Sequence, residues 1–502
     1  MNRIDIKWLF LSGMLATGTL LATADDSIPL RCDAMEGGRG RYEQATLANP
    51  ALKVVSMAPS QSVVSLAGVT QPSAKERIPQ LGNGGRFFQL EASSFQHLNA
   101  HSVVWGHASY TNGKKYDVVW NETSDLLRLY PYVMADSRGG DMKYEEYQLS
   151  GGYAQKHGKL YYGLALGYRA LSEYRDRDPR PNNTVADLYA RVGVGYGLWD
   201  DYILALAADA GKYKQTNELA YYNELGAQME YHLTGVGTDF SRFSGQSNNV
   251  FFKGYDLGMS LDFARNNGLG WAASAGYLYT KMDKVLSDLN RLPLNRLQIH
   301  CLKGSVGFST AALGVRVSGK YASRQGKDNL FGDATGSIYP QIGSKKQYKG
   351  TVTEVKAEGF WNLPASSSLS FQVCPEVAFE AFTNHHATSD NRFDADNMLF
   401  CACGTATYTS GRNRYAVEAG LTRRQNLSTQ VRLYRTASES LATTLQHVGD
   451  YFEDGETLLR LGLSCRRTVW GNKAVAIALQ WHHDMYLSTS NNRCEAKVSF
   501  YL

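Results

Sequence analysis

The residues best suited to acid–base chemistry lie near the C-terminus, as His482, His483 and Asp484. A histidine held by a carboxylate is the pair with which many hydrolases activate a nucleophile. In an extended chain successive side chains point to opposite faces, so His482 and Asp484 share a face and His483 does not. One hypothesis is therefore a hydrolase, either a protease or a lipase, that uses His482 and Asp484.

The absence of sequence motifs that mark other enzyme classes argues against catalysis. The chain has no G-x-S-x-G element, P-loop, dinucleotide-binding fingerprint or H-E-x-x-H motif. No nucleophile or second carboxylate is tied to His482 and Asp484 by its spacing. The favoured expectation is that the protein is not an enzyme and has no catalytic residues.

A larger set of polar residues alternates with apolar ones in many extended segments. These charges share one face of each segment, and they carry both signs, so that neighbours can pair across a sheet. Two interpretations remain open: a hydrophilic passage whose charges select solutes, or an interior packed shut by salt bridges. The charges predicted to face the interior are Arg169, Asp187, Arg191, Asp209, Asp256, Asp262, Arg316, Lys320, Glu354, Lys356 and Glu358.

One short segment combines fixed backbone with alternating charge. Two prolines restrict its conformation, and its charges alternate in sign. We expect it at the outer side, where it folds inward as a constriction, contacts a partner, or remains a rigid solvated loop. Its residues are Arg175, Asp176, Arg177, Asp178, Pro179, Arg180 and Pro181.

The elements that must position these charges are β-strands with one apolar face. Between Tyr255 and Phe263 the odd positions are apolar, whereas Asp256 and Asp262 lie on the other face. Segments of about 10–14 residues with this alternation recur from about residue 86 to the C-terminus, which is typical of transmembrane barrels. Inside a bilayer every backbone polar group needs a protein partner, so such a sheet must close on itself.

The connections between these segments alternate between short and long. Tight turns recur, for example at 156–158, 265–268 and 411–413, between longer polar stretches. Outer-membrane barrels have short periplasmic turns and longer outer loops. The sequence therefore predicts an all-β fold, a transmembrane antiparallel β-barrel with an even number of strands, about 14–18, and a short N-terminal periplasmic or plug segment.

The N-terminus carries the marks of an export signal. Arg3 and Lys7 precede an apolar run, and Ala22-Thr23-Ala24 supplies a cleavage site. We expect a signal peptide at 1–24, a periplasmic extension or plug at 25–85, and a transmembrane barrel at 86–502. The expected location is the outer membrane of a Gram-negative bacterium.

Composition restricts the partners. The net charge of +5 does not indicate a nucleic-acid-binding protein. The seven cysteines are odd in number and lack repeated close pairs, so neither a disulfide framework nor a metal site is predicted, and no cofactor is expected. The expected partners are the lipid bilayer and the outer-membrane assembly machinery, because the last residues form an alternating strand that ends in apolar and aromatic residues.

Several motifs resemble a known family. They are Val104-Trp105-Gly106-His107-Ala108-Ser109-Tyr110-Thr111-Asn112-Gly113, Tyr130-Pro131-Tyr132, Asp136-Ser137-Arg138-Gly139-Gly140 and Asp178-Pro179-Arg180-Pro181. From about residue 45 to the end, the chain resembles an uncharacterised outer-membrane β-barrel family of Bacteroidota. The resemblance implies the barrel fold and a location beside TonB-dependent transport systems, and it supplies no catalytic residues. Asn49-Pro50-Ala51 also resembles the N-terminal hatch of long-chain fatty-acid transporters.

The functional hypothesis follows from the fold rather than from a motif. The leading hypothesis is a channel, or an accessory subunit of an uptake complex that partners a TonB-dependent transporter or a surface lipoprotein. The alternative is an outer-membrane barrel hydrolase that uses His482 and Asp484.

Overall fold

A computed structural model describes residues 37–72, 78–199, 201–223, 229–245, 249–335, 338–470, 473–486 and 489–502. The expected signal peptide at 1–24 lies outside these residues. Most of the described chain forms one antiparallel sheet of 18 strands that closes on itself. This result confirms the all-β barrel and the even strand number expected from the sequence.

Strands are numbered in chain order, and three short ones lie outside the barrel wall. The short strands are β4 (Met134–Ala135), β9 (Tyr231–Gly235) and β10 (Thr238–Asp239). The wall strands are β1 (Gln61–Gln71), β2 (Gly84–Asn99), β3 (Ser102–Val118), β5 (Gly140–His157), β6 (Leu160–Tyr174), β7 (Arg180–Leu198), β8 (Tyr202–Ala220), β11 (Val250–Arg265), β12 (Gly270–Leu286), β13 (Leu292–Ser309), β14 (Leu313–Phe331), β15 (Gln341–Pro364), β16 (Leu369–His386), β17 (Asn391–Ser410), β18 (Asn413–Arg432), β19 (Glu456–Trp470), β20 (Lys473–Tyr486) and β21 (Thr489–Tyr501).

Each wall strand pairs with its neighbours in sequence, and β1 pairs with β21 to close the ring. Val63 lies opposite Tyr501, and Thr70 lies opposite Cys494. The expected barrel boundary at residue 86 is therefore wrong, because the wall begins at Gln61. The outward face of β1 includes Gly68 and Thr70 besides Leu66, and this weak apolar pattern hides the strand in the sequence.

The helices are few and lie inside the ring or over its outer end. They are α1 (Gly38–Thr46), α2 (Leu126–Leu129) and α3 (Glu439–Asp454), with 3-10 turns at Pro50–Val55, Pro79–Leu81 and Ser241–Phe243. In the part of the chain that the structure describes, no helix has the length and hydropathy to cross a membrane.

The outward faces of the strands form a broad apolar surface. Leu206, Met259 and Leu302 are each more than half exposed, at 54%, 57% and 57%. Exposed apolar area of this extent, running around a closed sheet, matches a lipid-facing band. The polar phase of the same strands faces the lumen.

The two ends of the barrel differ. At the inner end, connections such as Gly158-Lys159 are tight, and this is also the end where Ser62 and Leu502 exchange backbone hydrogen bonds. At the outer end the strands continue past the lipid band. Two of the longer polar stretches, near 282–296 and 383–397, are not long loops: they are mostly strand, with turns at 287–291 and 387–390. The outward faces of these projecting strands are polar, as at Asp283 and Arg296, whereas residues such as Met282 and Leu286 are buried inside the barrel. The alternation of the lipid band is therefore reversed in these segments, although the hydrogen-bonded ladder continues.

Candidate passage through the barrel

The outer half of the lumen is filled by two inward-folded connections, the first lumen loop (residues 119–139) and the second lumen loop (residues 229–245). They join through β4 and β9, where Met134 pairs with His232. Helix α3 packs over both, and Val448 and Phe393 enclose Val236 of the second loop. The apolar outer core includes Trp120, Leu129, Tyr132, Met134, Val185, Tyr213, Leu233, Phe243, Phe252, Met282, Leu286, Leu294, Phe331 and Leu441.

Charged residues of the wall hold the first lumen loop in place from below. Arg128 bridges two wall carboxylates, with Nη1 2.7 Å from Asp187 and Nη2 2.7 Å from Asp256. Arg169 of β6 binds Asp125 at the start of α2, and its Nη1 lies 3.2 Å from Glu146. Bonds between charged partners are stronger than neutral ones. Three of the charges predicted from the sequence therefore act together on a loop that the sequence did not single out.

The C-terminal end of α2 is capped by a wall arginine. Arg324 of β14 donates to the carbonyl oxygens of Leu127 at 3.0 Å and Arg128 at 3.2 Å. The last carbonyl groups of a helix have no partner within it, so a cation is stabilising at this end. The wall thus binds both the side chains and the main-chain carbonyl groups of the first lumen loop.

A fully buried ionic cluster joins both loops to the β6–β7 hairpin. Arg175 Nη2 lies 2.6 Å from Asp136 and 3.1 Å from Glu122, and all three side chains are at most 1% exposed. Glu230 of the second loop accepts a hydrogen bond from Tyr221. Two carboxyl groups therefore contact the guanidinium of Arg175, and a third, that of Glu230, lies beside Glu122.

The excess of carboxyl groups implies a shared proton. Burial raises the pKa of Glu122 well above its usual value, and the neighbouring Glu230 raises it further. Burial likewise raises the pKa of Glu230. Glu122 Oε2 and Glu230 Oε2 are buried without a donor among the described residues. A proton held between them satisfies both oxygens, because carboxylates accept but do not donate.

The inner half of the lumen contains a thinner closure formed by α1 and Pro50–Val55. Leu47, Ala51 and Leu52 are buried against Tyr161 and Ile203 of the wall, together with Ala205 and Ala264. Asn49 accepts from the Ala51 amide at 3.0 Å and donates to Asp262 at 2.9 Å. Within the expected N-terminal extension at 25–85, residues 37–58 thus precede the first wall strand and lie in the lumen.

Glycines on the wall make room for this segment. A Cβ at Gly193 would lie 2.1 Å from Asn49 Oδ1, and one at Gly163 would lie 2.5 Å from the Pro50 backbone. Both distances are too short for any side chain. The small residues of β6 and β7 are therefore the docking surface for Asn49–Ala51.

A polar chamber of about 520 Å³ lies between the two closures. Its wall combines charges with serines, and Ala45 and Ala48 border it from below. Small hydroxyl side chains leave volume that large apolar residues would fill. The polar lining is formed by Arg191, Asp209, Asp256, Ser260, Asp262, Ser274, Lys303, Ser305, Arg316, Ser318, Lys320 and Glu354.

Most of the predicted lumen charges form pairs within the wall. Arg191 lies 3.3 Å from Asp209, and Arg316 Nε lies 2.7 Å from Glu358. Lys356 lies 2.7 Å from Glu358, and Lys320 lies 3.8 Å from Glu354. Together with Arg169, Asp187, Asp256 and Asp262, these residues occupy the lumen face as the alternation predicts. These ion pairs match the interpretation of an interior packed shut by salt bridges. The chamber, in contrast, leaves room for water and solute, as a hydrophilic passage requires.

The segment 175–181 is not the constriction that the sequence suggested. Arg175 is buried, and its amide bonds the carbonyl oxygen of Pro181, which makes the segment a tight hairpin turn. Asp176 pairs with Lys143 on the outside, and Asp178 pairs with Arg180 at 2.6 Å. Arg177 and Pro179 belong to the same turn. With five residues between β6 and β7, the hairpin is too short to reach across the lumen.

The structure brings His482 and Asp484 to the lumen face of β20, as alternation requires. The direct cross-strand neighbours of His482 are Arg460 and Arg493. Its Nε2 is buried without a hydrogen-bond partner among the described residues. Two guanidinium groups, rather than a nucleophile, therefore flank the imidazole in the sheet.

The sequence contained a signal for the missed loops. The connection 119–139 includes Leu126, Leu127, Leu129, Val133 and Met134, an apolar content unusual for a solvated loop. The described cysteines are free, and the described residues contain no cluster of three potential metal ligands.

Comparisons with solved structures return membrane barrels at low similarity. A bacterial polysaccharide outer membrane secretin is 11% identical, with a TM-score of 0.35 and coverage of 88% of this chain and 97% of that chain. The ferric preacinetobactin receptor BauA from Acinetobacter baumannii is 8% identical, with a TM-score of 0.40 and coverage of 88% and 80%. The CymD monoaromatic hydrocarbon channel is 10% identical, with a TM-score of 0.30 and coverage of 91% and 92%.

No curated protein matches the chain. Among protein families, the model of a family of unknown function, DUF6850, matches residues 50–502. Because the match spans the first lumen loop, the second lumen loop, α3 and all 18 wall strands, the protein belongs to this family.

Proposed function

We propose that the protein is an outer-membrane channel for small polar solutes, closed in this structure by its own loops. The observation that carries the proposal is the position of Arg128. It joins Asp187 and Asp256 of the wall at the upper edge of a polar chamber, where the first lumen loop crosses the barrel. A loop tied to the lumen by charges constricts a passage, and the chamber beneath it accommodates a hydrated solute.

The outer-membrane location is part of the proposal. The apolar exterior of a closed sheet requires lipid, because such a surface in water would drive association. We place the short turns in the periplasm and the projecting strands at the cell surface, since barrels of this membrane have short periplasmic turns.

Two closures of different construction support a gated passage rather than an open pore. The outer closure has an apolar core, whereas the inner one consists of one helix and one 3-10 turn. Solute entry then requires the first lumen loop to move, and exit requires displacement of residues 37–58. The charges of the chamber favour polar solutes over hydrocarbons.

The test is conductance of the purified barrel in planar bilayers. Deleting residues 123–133 and joining the ends with two glycines, in a chain that also lacks residues 37–58, removes α2, Arg128 and the inner closure while leaving the wall strands intact. We expect low or intermittent conductance from the unaltered protein and stable ohmic steps from the deletion. A deletion of 388–389, in a turn that lies above the wall, is the matched control and should leave conductance unchanged.

Each outcome decides between the hypotheses. Folded, membrane-inserted proteins that stay silent with and without the deletion would overturn the channel proposal and favour an accessory subunit of an uptake complex. Replacing His482 with Ala should leave conductance unaltered. Hydrolysis of peptide or ester substrates that disappears in His482→Ala would instead support the hydrolase alternative.

A further inference from the structure

The outward surface above the lipid band carries a concentration of positive charge on one side of the barrel. On strands β8 and β11–β15, two adjacent rows of residues lie in direct cross-strand register. The upper row is Lys214, Lys253, Asp283, Arg296, Lys327 and Lys346. The lower row is Lys212, Tyr255, Lys281, Gln298, Gln325 and Lys349.

These residues point outward. Lys214, Lys253 and Lys346 are exposed, while their neighbours of opposite phase, Tyr213 and Phe252, are buried in the outer core. The next outward row towards the inner end contains Leu257 and Tyr279, which belong to the apolar and aromatic exterior. The two rows, named here the basic belt, therefore border the lipid-facing surface directly.

The charge of the basic belt is far from balanced. Among its twelve residues, all of which the structure describes, Asp283 is the one carboxylate. Asp283 lies 2.6 Å from Arg296 and 3.8 Å from Lys281. Three direct cross-strand pairs join like charges: Lys214 with Lys253, Arg296 with Lys327, and Lys327 with Lys346. Like charges directly opposite each other destabilise a sheet unless an anion lies between them.

Another part of the barrel wall shows how acidic residues of the protein itself neutralise a row of basic residues. Arg86, Lys114 and Lys143 also lie in register on β2, β3 and β5. There, Lys114 lies 2.5 Å from Asp141, and Lys143 lies 2.7 Å from Asp176. Among the residues that the structure describes, the basic belt lacks this density of acidic partners, which leaves its charge available to an anion from outside the chain.

The height of the basic belt identifies the anion. Lys253 is twelve residues from the inner end of β11 at Arg265. At about 3.3 Å per residue and a tilt of about 40°, it lies roughly 30 Å above the inner turns, just beyond an apolar band about 25 Å tall. Lipid phosphates occupy this level, and clusters of Lys and Arg at a membrane surface attract anionic headgroups.

We propose that the basic belt binds the phosphate groups of anionic lipids in the outer leaflet. Lysines and arginines act as the phosphate ligands, and the apolar strands beneath contact the acyl chains. The site depends on the membrane location proposed above, but not on the passage through the lumen. A failure of the channel hypothesis therefore leaves it intact.

The test measures lipid binding to the full folded barrel in an uncharged detergent by native mass spectrometry. The probes are a diphosphorylated glycolipid, the same lipid without phosphate, and inorganic phosphate. The belt variant carries Lys214→Gln, Lys253→Gln and Lys346→Gln. The control variant carries Lys159→Gln, Arg412→Gln and Lys473→Gln, which removes the same charge from exposed positions at the inner end.

We expect the unaltered barrel and the control variant to retain the phosphorylated lipid equally. The belt variant should bind it about tenfold or more weakly, because each cation near a headgroup contributes to binding. Removal of the phosphate should weaken binding to the unaltered protein, and added salt should do the same. Equal affinity of the belt and control variants, or competition by inorganic phosphate at equal concentration, would overturn the proposal.

Discussion

The two closures of the lumen differ in how they are built. The outer one joins two loops, a helix and the wall strands around a buried apolar core and a buried ionic cluster. The inner one is a single segment that docks onto wall glycines with a small apolar contact and one buried side-chain bond, from Asn49 to Asp262. The outer closure therefore resembles a folded domain, and the inner one resembles a bound peptide. We expect the inner closure to release first.

The largest effect is expected from the buried ionic cluster. Replacing Arg175 with Met leaves Glu122 and Asp136 unpaired, and removal of one partner of a buried pair costs about 3–5 kcal/mol. Hydrogen exchange of residues 119–139 should accelerate accordingly. Lys143→Met removes an exposed partner of Asp176 and is the control, for which no change is expected. Unchanged exchange in Arg175→Met would contradict the role of the cluster.

The second prediction compares one leucine from each closure. Leu129 and Leu52 are both fully buried, at 1% and 0% exposure. Leu129→Ala should destabilise the outer closure by about 2–5 kcal/mol, because its core cannot collapse around the cavity. Leu52→Ala should cost less, since a single segment can shift to fill the space. Local unfolding free energies from hydrogen exchange give both values, and a larger effect at Leu52 would reverse the comparison.

A smaller effect is expected when the inner docking surface is filled. In Gly193→Val the new side chain collides with Asn49, and such overpacking costs about 1–3 kcal/mol. The segment Pro50–Val55 should leave its site and expose Lys53 to trypsin. Gly197→Val, on the same face of β7, is the control because a Cβ there meets only ordinary contacts of 3.6 Å or more. Equal cleavage in both variants would argue against docking through Gly193.

The smallest effect concerns pH. Burial raises the pKa of Glu122 and the pKa of Glu230, so the protonated pair stabilises the outer closure. This stability is complete below the ordinary glutamate pKa and is lost as pH rises through the raised values. Protection of residues 119–139 should therefore fall with rising pH, and Glu230→Gln should flatten the dependence. Protection from hydrogen exchange that rises with pH would contradict this prediction.

The barrel fold could be predicted from the sequence because alternate residues of each strand must be apolar towards the lipid and polar towards the lumen. This constraint placed charges such as Arg191 and Asp256 on the lumen face. It failed for β1, whose outward face includes Gly68 and Thr70, and for the projecting strands, whose outward face is polar and whose inward face packs on the outer core. A constriction was one of the three roles that the charge pattern of Arg175–Pro181 allowed. The ion pairs of Arg175 and Arg128 join residues far apart in the chain, so no local pattern could reveal them.

The seam between β1 and β21 carries a consequence for biogenesis. Its partners, such as Leu66 and Val498, are separated by almost the whole polypeptide. Bringing distant segments together is entropically slow, so this contact is made late in folding. Until then both edge strands expose unpaired amide and carbonyl groups that hydrocarbon cannot solvate. An assembly factor that shields these edges must therefore stay bound to the chain until the last strand is paired. A truncation within β21 should leave the unfinished barrel bound to this factor.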